Sequence, residues 1–209
     1  MTQSADKTVV FLMGPTASGK TDLAIELSHK FKARLISVDS ALIYKGMNIG
    51  SAKPDSNTLE KYPHHLIDIC EPEEAYSAHD FAKDAKAQIQ LAFDNGETPI
   101  LVGGTSFYFH ALEHGLSDLP KSTTESRKKF NRLLKEKGSA ALHDDLKKID
   151  PKAAERLHPN DAQRVTRALE VFDISGKTLS DLQGNKQQGL NRPIKKIILM
   201  PSRNEIGRA

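Results

Sequence analysis

The chain of 209 residues has no tryptophan and a single cysteine, Cys70. One thiol excludes an internal disulfide and any zinc site built on cysteines, and in the apolar setting of residues 66–70 it reads as a small core residue. The adjacent His64 and His65 lack the spacing and the third ligand of a zinc site, so both are expected in a loop. No stretch approaches the roughly 20 uninterrupted apolar residues of a membrane span. The first 20 residues also lack a signal peptide's order of charge, long apolar run and small-residue cleavage site, so a cytoplasmic protein with no membrane partner is expected. Only 13 glycines and 10 prolines, with 38% hydrophobic and 27% charged residues, exclude collagen-like, low-complexity and wholly disordered chains. No internal repeat is present. The length allows one sizeable core or a core carrying an insertion.

An excess of one charge is nearly absent as well, with 30 Lys+Arg against 27 Asp+Glu. What excess there is concentrates between Lys121 and Lys177, where 14 basic and 9 acidic residues give +5, leaving −2 elsewhere. Such a segment can mark a polyanion site, although a solvated Lys-rich helix face has the same appearance.

Val9 to Met13 is apolar without alternation and stops at Gly14-Pro15, as a strand buried on both faces does. Leu23, Leu27 and Phe31 then give the stripe of a helix. Leu35 to Asp39 and Leu66 to Ile69 read as further strands. Phe81, Ala85, Ile89 and Ala92 mark a helix ending near Asn95-Gly96, Ile100 to Val102 a strand, and Phe107, Ala111 and Leu112 a helix ending at Gly115. Alternation of this kind predicts an α/β fold, a parallel sheet flanked by helices with its site at the carboxyl ends of the strands. From Lys121 three helices follow without a strand. Phe130, Leu133 and Leu134 lie in the first, which ends at Gly138; the second spans about 140–149; Val165, Leu169 and Phe172 face inward in the third. The expected organisation is a core over 1–120, an all-helical insertion over 121–189, and a return to the core over 190–209, where Ile197 to Met200 resembles a core strand.

Gly14-Pro15-Thr16-Ala17-Ser18-Gly19-Lys20-Thr21 fits G-x-x-x-x-G-K-[ST] between a predicted strand and helix. In such a P-loop the backbone N–H groups and helix N-terminus hold phosphate oxygens, Lys20 neutralises charge, and the Thr21 hydroxyl can ligate Mg²⁺. A diphosphate or longer chain is therefore expected, with nothing said about what is transferred. Asp39, at the end of a neighbouring strand, could hold Mg²⁺ through water, act as a general base, or merely cap the Ser40 turn. Thr105 after Gly103-Gly104 offers a hydroxyl to a ligand or serves as a helix N-cap. Gln163, Arg164 and Arg167 share a polar helix face that could grip phosphates or stay solvated.

The segments GPTASGKT (14–21), SVDSALIYKGMNIGSAKP (37–54), LVGGTSFYFHAL (101–112) and HPNDAQRVTRALEVFDISGK (158–177) together closely resemble the bacterial tRNA dimethylallyltransferases, in the same order and spacing. The resemblance implies a P-loop NTPase-like core with a helical tRNA-binding insertion. It further implies transfer of a dimethylallyl group from dimethylallyl diphosphate to N6 of the adenosine 3′-adjacent to the anticodon. Residues 14–21 would grip the diphosphate, with Mg²⁺ on Thr21. Asp39 would be the general base and Thr105 its companion in catalysis. Asp39, Ser40, Ala41, Leu42 and Thr105 would contact the target nucleotide, while Arg127, Gln163, Arg164, Val165, Thr166 and Arg167 would contact the tRNA. A monomer acting on the tRNA anticodon stem-loop is expected.

Leu42 stands where many family members have glutamine, so base recognition through that side chain is not expected. Family members also continue well past the position of Ala209, so the chain is expected to be C-terminally truncated inside the core, and the diphosphate role of a later arginine is not carried to Arg203. Read from GPTASGKT alone, the chain could be a small-molecule or nucleotide kinase. A transferase acting on free AMP or ADP and an inactive diphosphate- or tRNA-binding fragment complete the alternatives.

Overall fold

A computed structural model describes residues 7–184 and 188–202. The chain divides into two compact units, one of residues 1–115 with 188–209 and one of residues 116–187. The first is built on five parallel strands: β1 (Val9–Met13), β2 (Ala33–Val38), β3 (His64–His65), β4 (Thr98–Gly103) and β5 (Ile194–Ile198), in the order β3-β2-β4-β1-β5. This is the parallel α/β sheet the alternating pattern predicts.

Strand alternation sends β1 residues to opposite faces. Leu12 joins Leu35, Ile100 and Val102 against Ala24, Leu23 and Leu27 of helix α1 (Lys20–Lys30). On the other face Phe11 meets Phe109 of α4 (Ser106–His114), ring centroids 4.9 Å apart. Phe81 of α3 (Ala78–Asp94) stacks on Tyr108 at 4.5 Å. Ser77 and Asp80 form a capping box that starts α3, and Asn95 ends it where the sequence predicts. A short helix α2 (Ser56–Lys61) is capped by Asp55.

Several expectations are corrected. The strand beside β2 is His64–His65, pairing with Leu35 and Ile36, so the histidines are not loop residues; the run Leu66 to Ile69 bends away because Leu66 and Asp68 have φ of 66° and 54°, values incompatible with a strand. Phe31 is the C-cap of α1 and Phe107 lies outside the packed face of α4; both are exposed, and Tyr108 and Phe109 fill the core instead. The last strand, β5, begins earlier than expected and is an edge strand, with Ile198 and Met200 exposed beyond or near its end.

In the second unit, α5 (Thr124–Ile149) breaks at Gly138, whose φ of 78° only glycine adopts readily. Then come α6 (Pro151–Arg156), α7 (Ala162–Ser175) and α8 (Leu179–Leu182). Phe130, Leu142, Leu146, Val165, Leu169 and Val171 form its core. Phe172 is partly exposed and Val171 takes the inward place expected of it. Buried Asp150 joins three helices: it caps α6 through Ala153 N–H at 3.0 Å and accepts from the Ser180 N–H and hydroxyl at 2.9 and 2.6 Å. Among the described residues no helix is long and apolar enough to cross a membrane.

Candidate active site

Register places the site. Val38 on β2 and Met13 on β1 both pair with Gly103 on β4, which lies between them. The next residues in each chain segment are Asp39, Gly14 and Gly104-Thr105. The P-loop, the carboxylate and the Gly-Gly-Thr turn therefore leave three adjacent strands at one level, Asp39 and the start of the P-loop two strand spacings, about 10 Å, apart. Gly103 must be glycine, since a Cβ there would lie 2.0 Å from the Val38 carbonyl oxygen, and a Cβ on Gly104 would make a tight contact of 3.3 Å with the Gly14 carbonyl oxygen.

Within the P-loop, Ala17 and Gly19 have φ of 63° and 79°. Alternating handedness of this kind turns successive N–H groups inward, forming an anion nest. Gly19 is the N-cap of α1 and supplies no side-chain cap, so first-turn N–H groups stay available to phosphate oxygens. Lys20 Nζ donates to the Pro15 carbonyl and to Ser18 Oγ. Burial lowers its pKa below the ordinary lysine value and the Asp39 carboxylate opposes that shift, so the two groups share one electrostatic environment.

Asp39 Oδ1 accepts from the N–H groups of Ala41 (2.8 Å) and Leu42 (3.3 Å). That is the turn cap considered for this residue, and it fixes the carboxylate's orientation. No described residue donates to Oδ2. Thr105 occupies the N-cap position of α4 without capping it; its Oγ1 accepts from Ser40 N–H at 3.1 Å, and its own N–H donates to the Val38 carbonyl at 3.3 Å. Ser40 is exposed, Ala41 half-buried and Leu42 buried.

No group of three or more His, Cys, Asp or Glu side chains among the described residues could cage a metal ion. Mg²⁺ needs none, since it keeps several waters and takes one or two protein oxygens beside phosphate oxygens. The Thr21 hydroxyl at the start of α1 is a donor of that kind, while Asp39 follows the end of β2, which lies two strands away from β1 across β4.

In the helical unit, Arg127 Nε donates to Ser122 Oγ (3.0 Å), Ser122 to Glu170 (2.9 Å), and Arg167 to both Glu170 (3.5 Å) and the Pro120 carbonyl (2.6 Å). One polar chain thus joins Arg127 and Arg167. Gln163 and Arg164 are exposed, Arg164 pairing with Asp161 at 2.9 Å. Thr166 Oγ1 is turned back onto the Ala162 carbonyl. Val165 is corrected: its side chain is fully buried in the unit's core and cannot reach a nucleic acid. Arg203 lies outside the described residues.

A sequence model described as IPP transferase matches residues 42–208. The chain belongs to the IPP transferase family. It is 74% identical over 201 residues to a tRNA dimethylallyltransferase of Ruthia magnifica subsp. Calyptogena magnifica, covering 96% of this chain and 66% of that one. It is 52% identical to one from Alkalilimnicola ehrlichii, covering 96% and 63%. The chain thus spans just under two thirds of the length of these relatives. Among solved structures it is similar to a eukaryotic dimethylallyltransferase acting on tRNA, with 30% identity and a TM-score of 0.72 over 92% of this chain and 48% of that one. It is also similar to the full-length tRNA isopentenylpyrophosphate transferase of Bacillus halodurans, with 40% identity and a TM-score of 0.51 over 82% and 57%. The fold of this IPP transferase chain is P-loop-like, a parallel sheet between helices.

The contact between Thr105 and Ser40 carries no signal in the sequence, because it exists only once β2 and β4 pair in register.

Proposed function

We propose that the protein transfers a dimethylallyl group from dimethylallyl diphosphate to N6 of the adenosine 3′-adjacent to the anticodon in tRNA, releasing diphosphate. The observation that carries this reading is the common level of the P-loop, Asp39 and Thr105 at three adjacent strand ends. It is supported by identities of 74% and 52% to relatives named for that reaction.

The N6 lone pair attacks the allylic carbon as its bond to the diphosphate oxygen breaks, and the electron pair of that bond leaves with the diphosphate. Negative charge grows on oxygens held by the inward N–H groups of residues 14–21 and by Lys20, which stabilise the leaving group more as the bond breaks. Mg²⁺, held by Thr21, would neutralise further charge on those oxygens. An adenine amine is a weak nucleophile because its lone pair is delocalised into the ring. A carboxylate oxygen accepting the N6 proton removes the charge that would otherwise build on nitrogen. Asp39 Oδ2, to which no described residue donates, is the oxygen that accepts the proton, and Oδ1, fixed by two N–H groups, aims it. Thr105 sets the backbone that follows Asp39. Arg127, Gln163, Arg164 and Arg167 on the helical unit contact the tRNA anticodon stem-loop, chiefly its phosphates, and the protein works as a cytoplasmic monomer.

Incubation with labelled dimethylallyl diphosphate and tRNA, with AMP as competing acceptor and ATP as alternative donor, tests the reading. Label in the tRNA alone is expected. Label in AMP, or phosphate transfer from ATP, overturns it.

A further inference from the structure

The segments on either side of β3 meet in an interaction that the proposed chemistry does not use. The side chain of Lys53 is 4% exposed. Its ammonium reaches Asp68 Oδ1 at 2.5 Å, Asn48 Oδ1 at 2.9 Å and the Tyr44 carbonyl at 3.4 Å. Three donors thus meet three acceptors, one anionic, which is the condition under which a buried ammonium is retained.

The residues around this ion carry backbone strain. Ala52, just before Lys53, has φ of 55°, and Leu66 and Asp68 have 66° and 54°. Such values cost energy for side chains with a Cβ and persist where the surroundings enforce them.

The acceptors of Lys53 connect directly to the site. Asp68 N–H donates to the Leu42 carbonyl (3.0 Å), Ile69 and Cys70 N–H both donate to Ile43 (2.8 and 3.0 Å), and Lys45 N–H donates back to Cys70 (2.9 Å). A two-segment ladder thus runs from Leu42, whose N–H also binds Asp39 Oδ1, to the residues clasped by Lys53.

We infer that Lys53, through Asp68 and the Tyr44 carbonyl, is a positioning residue that holds the segment 39–45 in the conformation the acceptor adenosine meets. The inference rests on the proposed reaction for its catalytic consequence, and its structural consequence can be measured without turnover. Because Lys53 bonds no P-loop group, its loss acts on the acceptor side of the reaction and leaves diphosphate binding alone. Arginine cannot replace it, since a planar fork does not fit three acceptors arranged around a point charge.

Lys53→Met and the milder Asp68→Asn, which keeps an oxygen acceptor but removes its charge, are compared with the unaltered protein by amide hydrogen exchange. Diphosphate affinity by calorimetry and transfer to tRNA accompany it. In Lys53→Met, exchange at Leu42, Lys45, Asp68, Ile69 and Cys70 is expected to rise about tenfold or more while amides of β1 and β4 stay unchanged. The dissociation constant for diphosphate is expected to stay within about twofold, while kcat/KM for tRNA falls about tenfold or more, with Asp68→Asn intermediate. Unchanged exchange in the 42–45 and 68–70 segments overturns the inference, whatever the transfer assay gives. So does a rise spread evenly over the core, or equal losses of diphosphate affinity and transfer. If the unaltered protein transfers nothing to tRNA, the functional reading fails, and the exchange pattern still decides whether Lys53 holds the loop.

Discussion

Thr105 Oγ1 accepts a hydrogen bond from Ser40 N–H at 3.1 Å, so the end of β4 holds the backbone residue that follows Asp39 on β2. A neutral hydrogen bond contributes about 1 kcal/mol. Thr105→Ala should therefore lower kcat/KM for tRNA about fivefold through misplacement alone, and more if the hydroxyl also meets the nucleotide, while diphosphate affinity holds. Thr105→Ser, which retains the hydroxyl, should recover most of the activity. Steady-state kinetics with both variants checks this.

Gly103 sets how closely β2 and β4 end. A Cβ there would sit 2.0 Å from the Val38 carbonyl oxygen and 2.5 Å from its carbon, both backbone atoms that cannot rotate aside. Gly103→Ala should cost about 3 kcal/mol and lower Tm by roughly 10 °C in a chain of this size. Thermal unfolding by circular dichroism reads the change.

Much of this fold is legible in the sequence because its signals are local. Val9 to Met13 is apolar throughout, as a central parallel strand is, and the spacing of Phe81, Ala85, Ile89 and Ala92 leaves no other face to bury. The misreadings come from tertiary context. Leu66 to Ile69 has strand composition but two residues forced to positive φ, and His64-His65 has no strand signature yet completes the sheet beside β2. Phe107, Phe172 and Met200 are apolar and exposed, which no periodicity shows. The candidate site is legible at Gly14 to Thr21 and Asp39, where motif and strand end coincide. The Lys53 clasp is not, because its partners lie 5 to 15 residues apart in a segment without periodicity.

Stability should fall in acid through His64. Its Nδ1 lies 2.7 Å from the Tyr62 carbonyl, which only accepts, so the proton sits on Nδ1; Nε2 is buried with no partner among the described residues. Burial lowers the pKa of His64, and burial with the neighbouring Arg34 lowers that of His65. Both rings are therefore neutral in the folded protein at a pH where the unfolded chain already binds protons. The associated stability is complete above the ordinary histidine value, about 6.5, and is lost as pH falls through the lowered values. Tm should drop between pH 7 and 5, and His64→Phe should flatten part of that slope.

The two α7 arginines should separate in their effects. The Arg164 side chain is 74% exposed and, among the described residues, pairs with Asp161, the N-cap of its own helix, so Arg164→Ala should leave Tm unchanged and reduce the salt slope of tRNA binding by about one. Arg167 bonds Pro120 and Glu170 within the helical unit, so Arg167→Ala should lower Tm as well as affinity. Binding titrations at several salt concentrations, beside thermal melts, distinguish the two.

The proposed reaction depends most directly on Asp39 as the base. Asp39→Asn keeps an Oδ1 that can accept from Ala41 and Leu42 and removes the carboxylate's basicity, so single-turnover transfer from labelled dimethylallyl diphosphate to tRNA isolates the proton-accepting role. A fall of about 100-fold to 10,000-fold in the transfer rate is expected, with diphosphate still bound. Transfer by Asp39→Asn at the unaltered rate would contradict that role.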